Sequence, residues 1–167
     1  MIIYEDILRA FQRQKVKYII TGGIAVNLLG SLRTTADLDI LVEMSDSNLA
    51  KAVSILKKKG YRIKQPIDPI GIADKKTRED WIRNKHLKAM NFYKAGGALK
   101  EVDIIIDSPV SYTKAQASKV TIKSDDIALP VISIDNLIVM KKKAARESDT
   151  ADIKELQRIK KIQKARR

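Results

Sequence analysis

The chain has 167 residues, 44% of them apolar and only 5% aromatic, enough for one aliphatic core and tight for two independent domains. It carries no cysteine, one histidine and a formal net charge of +13, which excludes disulfides, thiol nucleophiles, thiolate metal sites and multi-histidine metal sites. No apolar run approaches the ~20 residues of a membrane span, and MIIYEDILRAFQ has acids where a secretory leader carries positive charge, so a cytoplasmic protein with no membrane partner is expected.

Residues 3–14 place Ile3, Ile7, Leu8 and Phe11 at the spacing of an amphipathic helix. The run KYIIT, 17–21, reads as a buried strand ending in Gly22 and Gly23. Residues 24–30 suit a short helix closed by Gly30. In DLDILVE, 37–43, carboxylate and apolar residues alternate, so a strand puts Asp37 and Asp39 on one face and Leu38 and Ile40 on the other. SDSN then supplies N-caps for a helix with Leu49, Val53 and Leu56 inward, stopped by Gly60.

Pro66, Pro69 and Gly71 make 65–76 a loop, and Trp81 and Ile82 anchor a short helix over 77–85. HLKAMNFYK, 86–94, and KEVDIIID, 100–107, are separated by AGGAL and read as a β-hairpin, with His86 as a plain strand-edge residue. Short strands follow around KVTIK and LPVISI, then helices over 135–143 and 149–163 and a frayed end, KKIQKARR. The sum is one α+β domain, 1–163, a small mixed sheet flanked by helices, with its core in 1–108, C-terminal strands and helices in 109–163 and a basic tail, 164–167.

Side chains two apart on a strand share a face with Cα atoms about 6.6 Å apart, so Asp37 and Asp39 repel unless a cation lies between them. Mg²⁺ suits such a place, because it takes hard oxygen ligands from one or two carboxylates plus substrate phosphates. A third carboxylate from a neighbouring strand lets a site hold two ions for phosphoryl transfer, and Asp103, embedded in an apolar strand, is the favoured candidate over Asp107 at that strand's end. Gly22 and Gly23, between strand and helix, allow a phosphate to approach the backbone, while Arg33, Thr34 and Thr35 add donors.

The stretch TGGIAVNLLGSLRTTADLDILV resembles the signature of the DNA polymerase beta-like nucleotidyltransferase superfamily. Within it, the chain is most similar to the small bacterial and archaeal nucleotidyltransferases, a branch that includes the toxin-type enzymes of abortive-infection systems. The resemblance extends to ISIDNLIVMKKKAARESDTADIKEL, 132–156, where that branch has a helix with a lysine, then an arginine, then two aspartates opening the last helix; residues 61–98 match only loosely. It implies a nucleotidyltransferase fold in which Gly22 and Gly23 bind nucleotide phosphates, and Asp37, Asp39 and Asp103 hold Mg²⁺ or Mn²⁺. It also implies that Asp103 acts as base toward the acceptor hydroxyl, Lys141 faces the triphosphate, and Arg33 and Thr35 line the site. Two departures stand out: many superfamily members have Gly-Ser where this chain has Gly22-Gly23, and the toxin-type enzymes have a longer C-terminal region.

Simpler roles exist for several of these residues. Arg33 can bridge to Asp37, and Lys141 can belong to a solvated lysine run. Asp149 and Asp152 can cap the last helix with Arg146 as partner, and Trp81, Phe92 and Tyr93 can pack rather than stack on bases. The function expected is transfer of a nucleoside monophosphate from an NTP, ATP for example, to a hydroxyl. The basic zones 57–100 (13 Lys and Arg against four acids) and 141–167 (11 against four) favour RNA, such as a tRNA end, as acceptor. The alternative is a non-catalytic module of the same fold that binds RNA or a partner protein, an antitoxin among them, through its basic faces.

Overall fold

The computed structural model describes residues 3–96 and 100–166. In chain order the elements are α1 (Glu5–Arg13), β1 (Tyr18–Thr21), α2 (Gly22–Leu28), β2 (Leu38–Val42), α3 (Asp46–Lys58), β3 (Arg62–Ile63), a 3-10 helix (Pro69–Ala73) and α4 (Lys75–Arg83). There follow β4 (Ala89–Lys94), β5 (Lys100–Ile105), α5 (Tyr112–Ala117), β6 (Val120–Ser124), β7 (Ile127–Val131), α6 (Ile134–Ala144) and α7 (Glu147–Ala165).

The strands form one mixed sheet in the order β3-β4-β5-β2-β1-β7-β6. The centre is β1 antiparallel to β2, with β2 parallel to β5 and β1 parallel to β7. All four residues of β1 are buried, as are all of β2 except Asp39, so both faces of the central strands are covered. An aliphatic core follows from the composition, with Tyr4, Phe11 and Phe92 as its large fully buried rings. Phe92 is therefore a packing residue, and Trp81, 7% exposed, is one too. No helix among the described residues is long and apolar enough to cross a membrane.

Capping explains most helix starts. Ser45, Asp74, Ser111 and Ser133 each accept the backbone N–H three residues on, at the heads of α3, α4, α5 and α6. Buried Arg78 ties α4 back to the body of the fold by donating to the carbonyls of Ile72 (2.7 Å) and Met44 (3.0 Å) and to Asp46 (3.1 Å). Asn48 joins β1 and β2 at their far ends through Lys17 and the Glu43 carbonyl.

The structure departs from the sequence expectation in several places. The strand holding Asp39 begins at Leu38, so Asp37 precedes it and is exposed. Helix α2 starts at Gly22 itself and incorporates both glycines. The proline-rich 65–76 contains a turn of 3-10 helix, because Pro69 suits a first helical position and Asp68 accepts from the Ile70 N–H. His86 has φ +50° in the turn before β4, away from the strand edge. α5 and the two-residue β3 had no clear periodic signal, and α7 continues in regular helix to Ala165 through most of the stretch expected to fray. Of the AGGAL turn, Gly97, Ala98 and Leu99 lie outside the described residues, as does Arg167 of the tail.

Candidate active site

Register brings the acids together. In the parallel pair of β2 and β5, Asp39 and Asp103 are Cα partners, so their side chains emerge from the same sheet face on strands about 4.8 Å apart. On the other side of β2, Asp39 is opposite Thr21, the last residue before the double glycine. Asp103 is opposite Asn91 of β4. Asp37 lies just before β2 and is close enough for its charge to act on both other carboxylates. Asp107, past the end of β5 and exposed, is not in this register; the N–H groups of Ile106 and Asp107 both donate to the Lys88 carbonyl, which breaks the strand's alternation there.

Buried Tyr4 fixes the approach to the acids. Its hydroxyl donates to the Ala36 carbonyl, immediately before Asp37, and accepts from the Glu101 N–H (3.0 Å), two residues before Asp103. One phenol thus joins the leading ends of β2 and β5.

The double glycine is sterically required. Gly22 has φ +64°, in the left-handed region, and a Cβ there would lie 1.8 Å from Asp39 Oδ2. A Cβ on Gly23 would lie 2.5 Å from Thr35 Oγ1. The absent serine of the Gly-Ser pattern has a physical explanation here: Thr35 occupies the space that a side chain at position 23 would need. The loop carrying Thr35 is held by Asn27, whose side chain donates to the Arg33 carbonyl (2.9 Å) and accepts from the Arg33 N–H (3.0 Å).

Arg33, Lys141, Arg146, Asp149 and Asp152 form one ionic network. Lys141, 4% exposed, donates to Asp152 Oδ2 (2.7 Å) and Asp149 Oδ1 (3.2 Å). Arg33 donates to the same Asp152 oxygen, and Arg146 donates to Asp149 Oδ2 through its backbone N–H and Nε, both 3.1 Å. Although burial works the other way, these donors hold the Asp149 carboxyl below its ordinary range. Arg33 therefore bridges to Asp152, not Asp37. Lys141 is no solvated lysine, and the aspartates expected to cap α7 with Arg146 as partner also neutralise it, Arg146 pairing with Asp149.

Burial first, then the charges of Asp103 and Asp37, push the Asp39 carboxyl up to about 6, with Arg146 and Lys141 opposing. Burial likewise raises Asp103, against the influence of Asn91. Asp103 Oδ1 is a buried oxygen with no hydrogen-bond partner among the described residues. Two adjacent carboxyls raised chiefly by burial, one with an orphaned oxygen, are a hard-oxygen donor set of the kind a divalent cation satisfies. Among the described residues, no three Asp, Glu or His side chains stand close enough, as placed, to enclose an ion.

A cavity of about 340 Å³ opens beside Asp39, between the Thr21–Gly22 junction, the end of β5 and helix α6. Met140, which accepts from the Thr21 hydroxyl (3.4 Å), and Lys141 form its α6 wall, and Lys88, Lys143 and Arg146 stand around it. Lys141 was expected at the site, whereas Met140, Lys88 and Lys143 were not singled out in the sequence, because nothing in a lysine-rich string marks which residue faces inward. Leu137, four residues before Lys141 and buried with it, was the available signal.

The comparisons with known proteins agree with this architecture. The chain resembles the solved structure of the lincosamide antibiotic adenylyltransferase LnuA bound to lincomycin at a TM-score of 0.60, with 19% identity over 92% of this chain and 93% of that one. ANT(2")-Ia in complex with adenylyl-2"-tobramycin matches at 0.57, with 14% identity over 98% and 94% of the two chains. An antigenic nucleotidyltransferase-like protein from Paracoccidioides brasiliensis matches at 0.55, with 14% identity over 91% and 71%. At such identities the likeness shows the fold, which is the nucleotidyltransferase fold. No curated protein gives a significant match. The model of the aminoglycoside-2''-adenylyltransferase family matches residues 4–156, nearly the whole chain, which therefore belongs to that family of nucleotidyltransferases.

Proposed function

We propose that the protein transfers a nucleoside monophosphate from an NTP to a hydroxyl acceptor in a Mg²⁺- or Mn²⁺-dependent reaction centred on Asp37, Asp39 and Asp103. The observation that carries this reading is the register pairing of Asp39 with Asp103 beside a glycine turn that leaves no room for any other side chain. The acceptor oxygen bonds to the α-phosphorus as the bond from that phosphorus to the β-phosphate bridging oxygen breaks, releasing pyrophosphate. Asp103, with its unpartnered oxygen, takes the hydroxyl proton. Asp37, Asp39 and Asp103 would hold a divalent cation, which would supply Lewis-acid polarisation and charge neutralisation at the phosphates.

The remaining residues bind and orient. Gly22 and Gly23 let the triphosphate approach the backbone, Thr35 offers its hydroxyl next to Gly23, and Arg33, whose backbone is fixed by Asn27 and side chain by Asp152, lines the site in this reading. Buried Lys141 and the half-engaged Arg146 would contribute positive potential at the site, consistent with the direction in which both charges act on Asp39. RNA is the acceptor that the net charge of +13 favours.

The test is incubation with α-labelled NTPs and Mg²⁺ in the presence of RNA and small hydroxyl compounds. Label transferred by the wild type and lost in Asp39→Ala supports the reading. Absence of any transfer, together with NTP that fails to raise the melting temperature, would reject it in favour of a binding module of the same fold.

A further inference from the structure

At one side the sheet ends in an unprotected strand. β6 is last in the strand order, and among the described residues no backbone group outside the sheet bonds to it. Its sequence, VTIKS, is rich in β-branched residues and holds neither proline nor glycine, and Val120 is 41% exposed. Its register with β7 runs unbroken from Val120 opposite Val131 to Ser124 opposite Ile127, so no bulge turns the edge away.

Both ends of the β6–β7 hairpin are pinned. Arg9 of α1 holds Asp126 in the turn through two bonds (2.7 and 2.6 Å), and Ser118, just before β6, accepts from the Asn136 side chain (2.9 Å) at the head of α6. The edge is therefore a fixed template, with little ordering left to lose on pairing.

The hairpin also determines which groups that edge offers. Its turn has two residues, Asp125 and Asp126, so Ser124 and Ile127 close it as a hydrogen-bonded pair, and every second pair along the ladder exchanges bonds. Ile122 and Val120 thus bond inward to β7, whereas Thr121 and Lys123 turn their N–H and C=O groups outward. Pro130, which has no N–H, is opposite Thr121, at a position where this ladder needs none.

An antiparallel second copy must set these outward groups against their own counterparts, which places the two-fold axis at Thr121, Ile122 or Lys123. An axis at Thr121 puts Lys119 against Lys123, and one at Lys123 puts that lysine against itself. The axis at Ile122 opposes no like charges: Thr121 faces Lys123, Lys119 faces Asp125, and Ile122 meets its own copy across the seam. Among the described residues, neither Lys119 nor Asp125 has an ion-pair partner within the chain.

We infer that β6 is the seam of a homodimer, in which two copies pair antiparallel about an axis through Ile122 and the seven-stranded sheet continues from one copy into the next. Main-chain bonds at Thr121 and Lys123 hold the seam, Val120 packs diagonally on the second copy's Ile122, and Lys119 with Asp125 sets the register. β7 and β1 separate β6 from β2 and β5, so the acids of the candidate active site stay outside the seam.

The chain has no cysteine, so single cysteines report the register directly. In the full chain, Ile122→Cys is expected to form a disulfide-linked dimer under mild oxidation, because facing residues at a non-hydrogen-bonded position have Cα atoms about 4.5 Å apart, within disulfide reach. Thr121→Cys and Lys123→Cys do not face themselves in this register and are expected to cross-link about tenfold more slowly. Sedimentation equilibrium of the wild type is expected to show reversible dimers by roughly 100 µM, the weak range of a small interface. Thr121→Pro removes an outward donor that β7 does not use, and is expected to weaken association about tenfold with an unchanged circular dichroism spectrum. If that variant fails to fold, Lys119→Glu is expected to weaken association about tenfold, and adding Asp125→Asn to restore most of it.

Three results would overturn the inference. A wild type that stays monomeric over this range would leave the edge to a strand of a different protein. Cross-linking led by Thr121→Cys or Lys123→Cys would refute the register, and a dimer indifferent to both Thr121→Pro and Lys119→Glu would be formed through another face.

Discussion

Asp39 and Asp103 occupy one register position on neighbouring parallel strands, so two acids are held side by side by the sheet itself. The fold pushes the Asp39 carboxyl from 3.8 up to about 6. A carboxyl raised in the folded state keeps its proton more firmly folded than unfolded, so its contribution to stability is greatest in acid and falls as pH rises from about 4 to about 6. At 1.36 kcal/mol per pK unit, discounted for partial exposure, the loss at neutral pH is on the order of 1–3 kcal/mol. Asp39→Asn is therefore expected to raise the melting temperature at pH 7 without added metal, and the gain is expected to disappear near pH 4. Mg²⁺ is expected to stabilise the wild type at pH 7 more than the variant. Thermal melts across pH check both, and a variant less stable than wild type at pH 7 would contradict the account.

Gly22→Ala would place a methyl group 1.8 Å from Asp39 Oδ2 on a backbone at φ +64°. Left-handed strain costs about 1–3 kcal/mol and the carboxylate must move, so activity is expected to fall more than a hundredfold. Gly23→Ala meets Thr35, with the Oγ1 at 2.5 Å and the Thr35 Cβ at 2.9 Å. Because the Cβ itself is in the way, Thr35→Gly is expected to rescue the stability of Gly23→Ala more fully than Thr35→Ala does. Equal rescue by both would show that the hydroxyl alone sets the limit.

Asp152 receives buried Lys141 and half-buried Arg33 together. Removing one partner of a buried pair costs about 3–5 kcal/mol because the other charge stays buried. Asp152→Ala is expected to lie in that range by urea denaturation. Lys141→Met with Asp152→Leu is expected to recover much of the loss, since no unpaired buried lysine remains. A double variant as unstable as the sum of its singles would mean that the residues act independently.

Tyr4→Phe removes the hydroxyl shared by the Ala36 carbonyl and the Glu101 N–H. Ala36 is exposed and Glu101 half-buried, so water can reach the freed groups and each lost bond costs about 0.5–1.5 kcal/mol. The expected signature is a lower melting temperature together with a lower kcat at nearly unchanged KM for NTP, because the phenol aligns the ends of β2 and β5 without reaching the cavity beside α6.

Much of this was legible in the sequence, and the reasons differ by residue. Asp39 and Asp103 stood out because each interrupts an apolar strand, where an unpaired charge is costly, and that local pattern survives whatever the rest of the chain does. Of the ionic network, the pairing of Arg146 with Asp149 was legible at the head of the last helix, but the part played by Lys141 was hidden. Lys141 and its partners Asp149 and Asp152 lie on two helices joined by a left-handed Ala145, a conformation that alanine does not advertise. Tyr4 was hidden for a related reason: it forms a bond to Ala36 and another to Glu101, and no local spacing encodes a contact between segments so far apart. Short elements such as α5, with Ala115 as its one buried residue, leave no periodic trace to read.

The parallel pairing of β2 with β5 also dictates when the site can exist. Between those strands the chain runs out through α3, β3, the 3-10 helix, α4 and β4 before β5 returns beside β2. Closing so long an excursion is slow compared with forming local helices and hairpins. During refolding, helical signal and apolar collapse should recover first, and Asp39 should acquire its acidic neighbour last.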